Sequence, residues 1–452
     1  MPALVKKFKE SVLNEFVQTY KDVRNQKITV GLFFAVLFVV MVIIGNVLWL
    51  IAQNFWYATL TETSSGGNSI SLAILLITIL FIEAVFMLLA IVFAMVYGVK
   101  EMWHAVVDTN RMRGPLYRFA VLIASGVLNG SSSVLQVYSF THTPMLLQSI
   151  LLCTIPLSAQ VWTLIFIPEE RKRDYLSFFF IVSFILLVAG IFIPSASTFK
   201  EASEDDAKGV SLAWTFIYFL SCVVFGLWCV TQRLYLDALI VKEPKPQNSS
   251  ENVDKTTQPA ADASESPSSL ASDVILLAEK RSWGRQNVRE ISGKLVLLVG
   301  SILFQIILVI VLIPIDAIPW FGTSSSASDA AKGFSESFKL IFSSWHNIRY
   351  GLLTSFGTLL SFVGCTYLNE ESPTLASVVL QIAGPFTSLV IIVFPQWNVY
   401  GDKAEPGYKV GGVVLLFVAA FLYHMWEQIS LQKLLNRVHE PERQMTEEAS
   451  PK

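Results

Sequence analysis

Long apolar runs separated by short polar breaks dominate the chain. A helix that crosses a bilayer needs about 20 apolar residues. Ten runs meet that need, at roughly 28–53, 71–98, 118–140, 144–167, 175–195, 210–236, 292–318, 347–368, 373–395 and 409–430. We number them spans 1 to 10. The predicted fold class is therefore all-α, a polytopic membrane protein with ten transmembrane helices. Span 1 starts too late and runs too long for a signal peptide, and no small-residue cleavage site follows it.

The polar breaks divide the chain. Residues 1–27 form an N-terminal segment, 28–236 hold spans 1 to 6, 237–290 form a linker, 291–430 hold spans 7 to 10, and 431–452 form a tail. Residues 243–272 are rich in Ser, Pro and acid, so the linker is expected to be disordered. Residues 323–343, with Phe334, Phe338, Leu340, Ile341 and Phe342, suggest a short amphipathic helix on the membrane surface.

Positive residues orient such a chain. With a cytosolic N-terminus, 26 of the 33 Lys and Arg fall on the cytosolic side. That places residues 1–27, the linker and the tail in the cytosol. The sequon Asn248-Ser249-Ser250 then faces the cytosol and should go unused.

Ten spans divide into two sets of five, 1 to 5 and 6 to 10, with the linker following span 6; two odd halves must run in opposite directions. Internal matches support an inverted repeat. Leu48-Trp49-Leu50-Ile51-Ala52-Gln53 in span 1 pairs with Leu227-Trp228-Cys229-Val230-Thr231-Gln232 in span 6. Tyr138, Pro144 and Pro156 pair with Tyr367, Pro373 and Pro385 at identical spacing. Pro144 and Pro373 should open helices, where a missing N–H costs nothing. Pro156 and Pro385 should kink spans 4 and 9. Inverted repeats around a midplane site are a build of secondary transporters.

Composition narrows the chemistry. Apolar residues make up 53% and charged residues 15%, against about 25% charged in soluble domains. The net charge of -2 offers no basic excess for nucleic acid. Cys153, Cys222, Cys229 and Cys365 lie in apolar runs with no CxxC pair, so buried thiols are expected rather than a metal site or disulfides. No phosphate-binding loop, HExxH or Ser/His/Asp set is visible, so neither catalysis, a metal, nor a cofactor is expected.

Intramembrane polar residues are the candidate site. Glu83 sits near the middle of span 2, where a charge is costly and a functional role is the default. It is the candidate for proton coupling. Asp316 lies nearer the outer face and is expected to be solvated. Candidate solute contacts are Asn46, Val47, Gln53, Asn129, Ser132, Gln148, Gln232, Thr358 and Gln381. Each amide can equally serve as glue between helices. Gly126-x-x-x-Gly130 reads as a packing face. No Lys or Arg lies at mid-depth, which favours cationic, zwitterionic or neutral solutes over anions.

The five-plus-five plan resembles the drug/metabolite transporter superfamily. Within it, Leu147-Gln148-Ser149 through Ile155-Pro156, Val379-Leu380-Gln381-Ile382-Ala383-Gly384-Pro385 and Gly45-Asn46-Val47 are similar to motifs of the chloroquine-resistance transporter family. Val47 stands where an exchange governs drug transport in the parasite member. Residues 319–346 lack the family's paired loop cysteines, and the linker is longer. The resemblance implies a proton-coupled carrier of a vacuolar or endolysosomal membrane. It would move amino acids, small peptides or drug-like amines, with the solute, protons and the lipid bilayer as its partners. A nucleotide-sugar or other organic-anion exchanger is the alternative, followed by a multi-pass membrane enzyme or a receptor.

Overall fold

The computed structural model describes residues 30–61, 67–108, 112–140, 151, 154–168, 170–173, 175, 177–202, 212–240, 288–397 and 406–448. Almost all of these are helical and none forms a strand. The helices are α1 Val30–Thr61, α2 Gly67–Tyr97, α3 Val99–Val107, α4 Pro115–Phe140, α5 Thr154–Phe166 and α6 Phe178–Ala202. They continue as α7 Leu212–Ala238, α8 Val288–Val311, α9 Ala327–Ile341, α10 Trp345–Glu371, α11 Pro373–Val393 and α12 Pro406–Glu448. Most of the linker, residues 241–287, lies outside the described residues, as do 1–29, Pro144, Gln148 and Cys153.

Seven of the helices described are long and apolar enough to cross a membrane: α1, α2, α4, α7, α8, α10 and part of α12. Shorter apolar helical stretches, Thr154–Phe166, Phe178–Gly190 and Pro373–Ala383, fall within spans 4, 5 and 9. The chain thus has the make-up of a helical membrane protein.

Two apolar cores hold the bundle together. The first joins Phe38 and Val42 of α1, Leu187 of α6, Val379 and Ile382 of α11, and Leu416 and Trp426 of α12. The second joins Ile82 and Phe86 of α2, Val134 of α4, Trp228 of α7, Ile302 of α8 and Phe362 of α10. Small residues let backbones approach. A Cβ on Gly357 of α10 would lie 2.6 Å from the Trp49 backbone N and 2.7 Å from the Gly45 carbonyl on α1. The expected face of α4 packs on α8, where a Cβ on Gly126 would sit 2.3 Å from the Ser301 carbonyl.

Several elements differ from their expected bounds. α1 runs past residue 53 to Thr61, because no charge or breaker interrupts Asn54–Thr61. α12 continues beyond span 10 to Glu448, through a segment whose Glu, Arg, Gln, Met and Leu favour helix and whose Pro441 does not. α11 opens at Pro373 as expected, with the Ser372 hydroxyl accepting from the Leu375 N–H at 3.2 Å, and it runs on through Pro385. Pro156 lies in the first turn of α5 as described, and is buried. The helix expected near 323–343 is α9, capped by Ser326. It packs on α2 through Phe334 and Ile341, so its apolar face is covered in part by protein.

Asp316 is a correction. It is buried, at 1% exposure, not solvated. A 3-10 turn over Ile313–Ala317 brings the chain back onto its carboxylate. That carboxylate accepts from the Thr323 N–H at 3.1 Å and the Ser324 hydroxyl at 2.5 Å. Gly322 permits the fold-back, since a Cβ there would lie 1.8 Å from the Asp316 carbonyl.

Candidate functional site

The polar residues of the apolar spans fall into two groups. The first is at mid-bundle. Asn129 of α4 donates to Gln305 of α8 at 2.8 Å, and Ser133 lies 3.5 Å from the Gln305 amide. Ser132 donates to the Ser221 carbonyl of α7 at 2.9 Å. Asn46 is buried and donates to Val42 of its own helix at 3.0 Å. Thr358 donates to Thr354 in the same manner at 2.8 Å. Val47 is half-buried against the first apolar core. Gln53 and Gln381 are half-buried.

Glu83 is different. It is 9% exposed, and its Oε2 has no hydrogen-bond partner among the described residues. A buried polar atom without a partner carries a desolvation cost of about 1–3 kcal/mol. Phe86, one helical turn on, meets Phe362 at 6.1 Å between ring centroids, and Phe362 meets Trp228 at 5.5 Å. Trp228 Nε1 is likewise buried with no partner among the described residues. The carboxylate therefore sits in an apolar, aromatic part of the bundle.

The second group lies at the end where α5, α7 and α10 finish and α8 and α11 begin. Glu170 follows α5 in the short turn Glu170–Lys172. Its Oε1 lies 2.9 Å from Nη2 of both Arg173 and Arg233. Arg173 reaches Glu427 of α12 at 3.5 Å, and Asp237 stands 3.7 Å from Arg233. Side chains of Glu170, Arg173, Arg233 and Glu427 are all at most 7% exposed. Burial works against the Arg173 charge, but Glu170 and Glu427 outweigh it and hold the guanidinium charged. Burial, reinforced by Glu170, pushes the Tyr175 phenol above its usual range. It stays a donor, bonded to the Glu170 carbonyl at 2.9 Å.

Neutral groups and one further ion pair extend this network. Gln160 of α5 accepts from Thr374 of α11 at 2.9 Å and from Tyr423 of α12 at 3.0 Å. Asn369 of α10 donates to Gln232 of α7 at 2.7 Å. Lys294 of α8 pairs with Glu370 at 2.7 Å and lies 4.5 Å from the Tyr367 ring centroid.

The structure thus brings Asn129 and Ser132 together on α4, and sets Gln232 apart in the end network. Of the network, only Gln232 is among the candidate solute contacts read from the sequence. The available signal was charge inside the bounds of apolar runs: Arg233 falls within span 6 and Glu427 within span 10. Cys222, Cys229 and Cys365 are free and buried. No group of His, Cys, Asp or Glu among the described residues could hold a metal. No protein-family model and no curated protein matches the chain.

Proposed function

We propose that this chain is a secondary transporter built from two inverted five-span repeats, α9 and α3 being accessory. It moves small cationic, zwitterionic or neutral organic solutes across an intracellular membrane, vacuolar or endolysosomal, with protons. The observation that carries this reading is the pattern of helix packing. Span 1 (α1) packs on span 8 (α10), and its repeat counterpart, span 6 (α7), packs on span 3 (α4). Spans 9 and 1 pack together, as do 4 and 6; spans 3 and 7 do, as do 8 and 2. Spans 5 and 10, 2 and 7, and 4 and 9 pair across the repeats.

The correspondence extends to residues. Ser132 bonds the Ser221 carbonyl at the α4–α7 contact. The registers of the two sequence matches carry these positions to Ser361 and Val42. Both lie at the α1–α10 contact, where Gly45 abuts the Ser361 backbone and Gly364 abuts Val42. A pseudo-twofold axis in the membrane plane accounts for both contacts.

Within such a frame, Glu83 is the carboxylate suited to load and release a proton. Asn129, Ser132, Gln305 and their neighbours supply neutral hydrogen bonds for a solute once helices part. Arg173 and Arg233 do not favour an organic anion, because Glu170 and Glu427 already pair with them.

The test is uptake by purified protein in vesicles. Labelled amino acids, a dipeptide and an amine are supplied with and without an imposed pH gradient. Glu83→Gln keeps the shape of the side chain but removes its titration. Gradient-driven accumulation should occur with wild type and disappear with Glu83→Gln, while exchange survives. No flux of any of the three solutes by wild type overturns the reading. Wild-type pH dependence in Glu83→Gln assigns the carboxyl to packing.

A further inference from the structure

The end network raises an energetic question. Taking four charges out of water is expensive, and apolar side chains of similar volume commonly give an equally stable protein. Stability alone therefore does not account for Glu170, Arg173, Arg233 and Glu427. Their placement offers a reason. Glu170 and Arg173 belong to the turn between α5 and α6, in the first half of the chain, whereas Arg233 and Glu427 belong to α7 and α12, in the second. Other contacts also cross between segments: the neutral bonds of Gln160 to Thr374 and Tyr423 and of Asn369 to Gln232, and the Lys294–Glu370 ion pair. Six helices and one turn are tied at this end by polar contacts.

The opposite end is closed differently. There Tyr138 meets Phe321 at 4.7 Å and Trp214 meets Phe321 at 5.3 Å, and the one polar tie across it is between Tyr138 and the Asp316 carboxylate among the contacts described, the other Asp316 bonds staying within its own loop. The distinction matters for opening. A polar contact exchanges its partner for water at a small net cost. An apolar contact loses its buried area to water.

We propose that Glu170, Arg173, Arg233 and Glu427, together with Gln160, Tyr423 and Thr374, form a latch that closes this end of the bundle and parts to open it. The latch rests on the transporter reading, in which one half of the chain moves against the other. In the charge-based topology it is the cytosolic gate. α7 is the keystone, since adjacent residues Gln232 and Arg233 bind different neighbours, α10 and the 170–173 turn.

Two native thiols report on it. Cys229 lies one turn before Gln232 and Arg233, against Asn369 and Cys365. Cys365 lies one turn before Asn369. Both are buried, as is Cys222 nearer the middle of α7.

The test uses the full chain in lipid nanodiscs, where both faces meet water. A charged, water-soluble methanethiosulfonate labels the protein, and mass spectrometry reads each cysteine. Glu427→Gln removes one charge of the latch. Tyr423→Phe removes only a hydroxyl, so it opens the neutral arm without stranding a charge. Ser183→Ala, whose hydroxyl bonds its own helix, is the control. Glu427→Gln and Tyr423→Phe should speed labelling of Cys229 and Cys365 on the order of fivefold or more, with Cys222 and the control unchanged. Unaltered labelling in a Tyr423→Phe protein of wild-type thermal stability overturns the latch. Equal acceleration at Cys222 also overturns it, because that reports general loosening. The labelling needs no solute. Faster labelling without solute flux by wild type would retain the latch and discard the transport reading.

Discussion

Asn369 Nδ2 lies 2.7 Å from Gln232 Oε1, joining residues 137 positions apart at the meeting of α7 and α10. Both side chains are fully buried. Gln232 Nε2 and Asn369 Oδ1 keep no hydrogen-bond partner among the described residues. The pair is half satisfied, so its geometry leaves one donor and one acceptor for water or solute.

The pair should be energetically coupled. Gln232→Leu leaves the Asn369 amide buried without its partner, at a cost of about 1–3 kcal/mol. Asn369→Leu should cost a similar amount. The double substitution should recover most of the loss, because no polar group is then stranded. Thermal unfolding of all four proteins in one detergent measures the cycle. Strict additivity would show that the two amides do not depend on each other.

Close helix contact makes some glycines intolerant. Gly357→Ala forces a methyl group to within 2.6 Å of the Trp49 N and 2.7 Å of the Gly45 carbonyl. Over-packing of this kind costs about 1–3 kcal/mol. Gly407→Ala meets nothing within 4 Å and should leave the melting temperature unchanged. Equal melting of both variants would mean that α1 and α10 stand further apart than described here.

Charge asymmetry sets the expected topology. Tags at residues 260 and 450 should share one side of the membrane, since four spans, 7 to 10, lie between them. Protease protection in intact organelles reads this directly. Opposite accessibility of the two tags would defeat the inverted repeat.

Val47 tests the solute path. Its side chain is half-buried against the first core, one residue from Asn46. Val47→Lys places a positive charge in a low-dielectric setting, where repulsion acts more strongly than at a surface. Cation uptake should fall about tenfold with normal expression, the change that about 1.4 kcal/mol of repulsion produces. Unchanged uptake would place Val47 on a packing or lipid-facing surface.

Much of the architecture was legible in sequence because it depends on local composition. Uninterrupted apolar runs predict helices long enough for a membrane, and the described α1, α2, α4, α7, α8, α10 and α12 follow them. Ser372-Pro373 predicts a helix start, since a cap and a fixed φ act within one turn. Gly126 and Gly130 predict close packing, because only small residues let backbones approach.

Partner choice was decided by tertiary structure. Asp316 reads as a solvated residue near the outer end of span 7, but the fold-back at Gly322 buries it under Thr323 and Ser324. Arg233 and Glu427 sit near the ends of spans 6 and 10, where a long side chain normally finds water. Packing instead closes them over Glu170 and Arg173. No periodicity or local spacing encodes such pairs. They bring together residues far apart in the chain, and only the folded bundle removes the water that would otherwise solvate them.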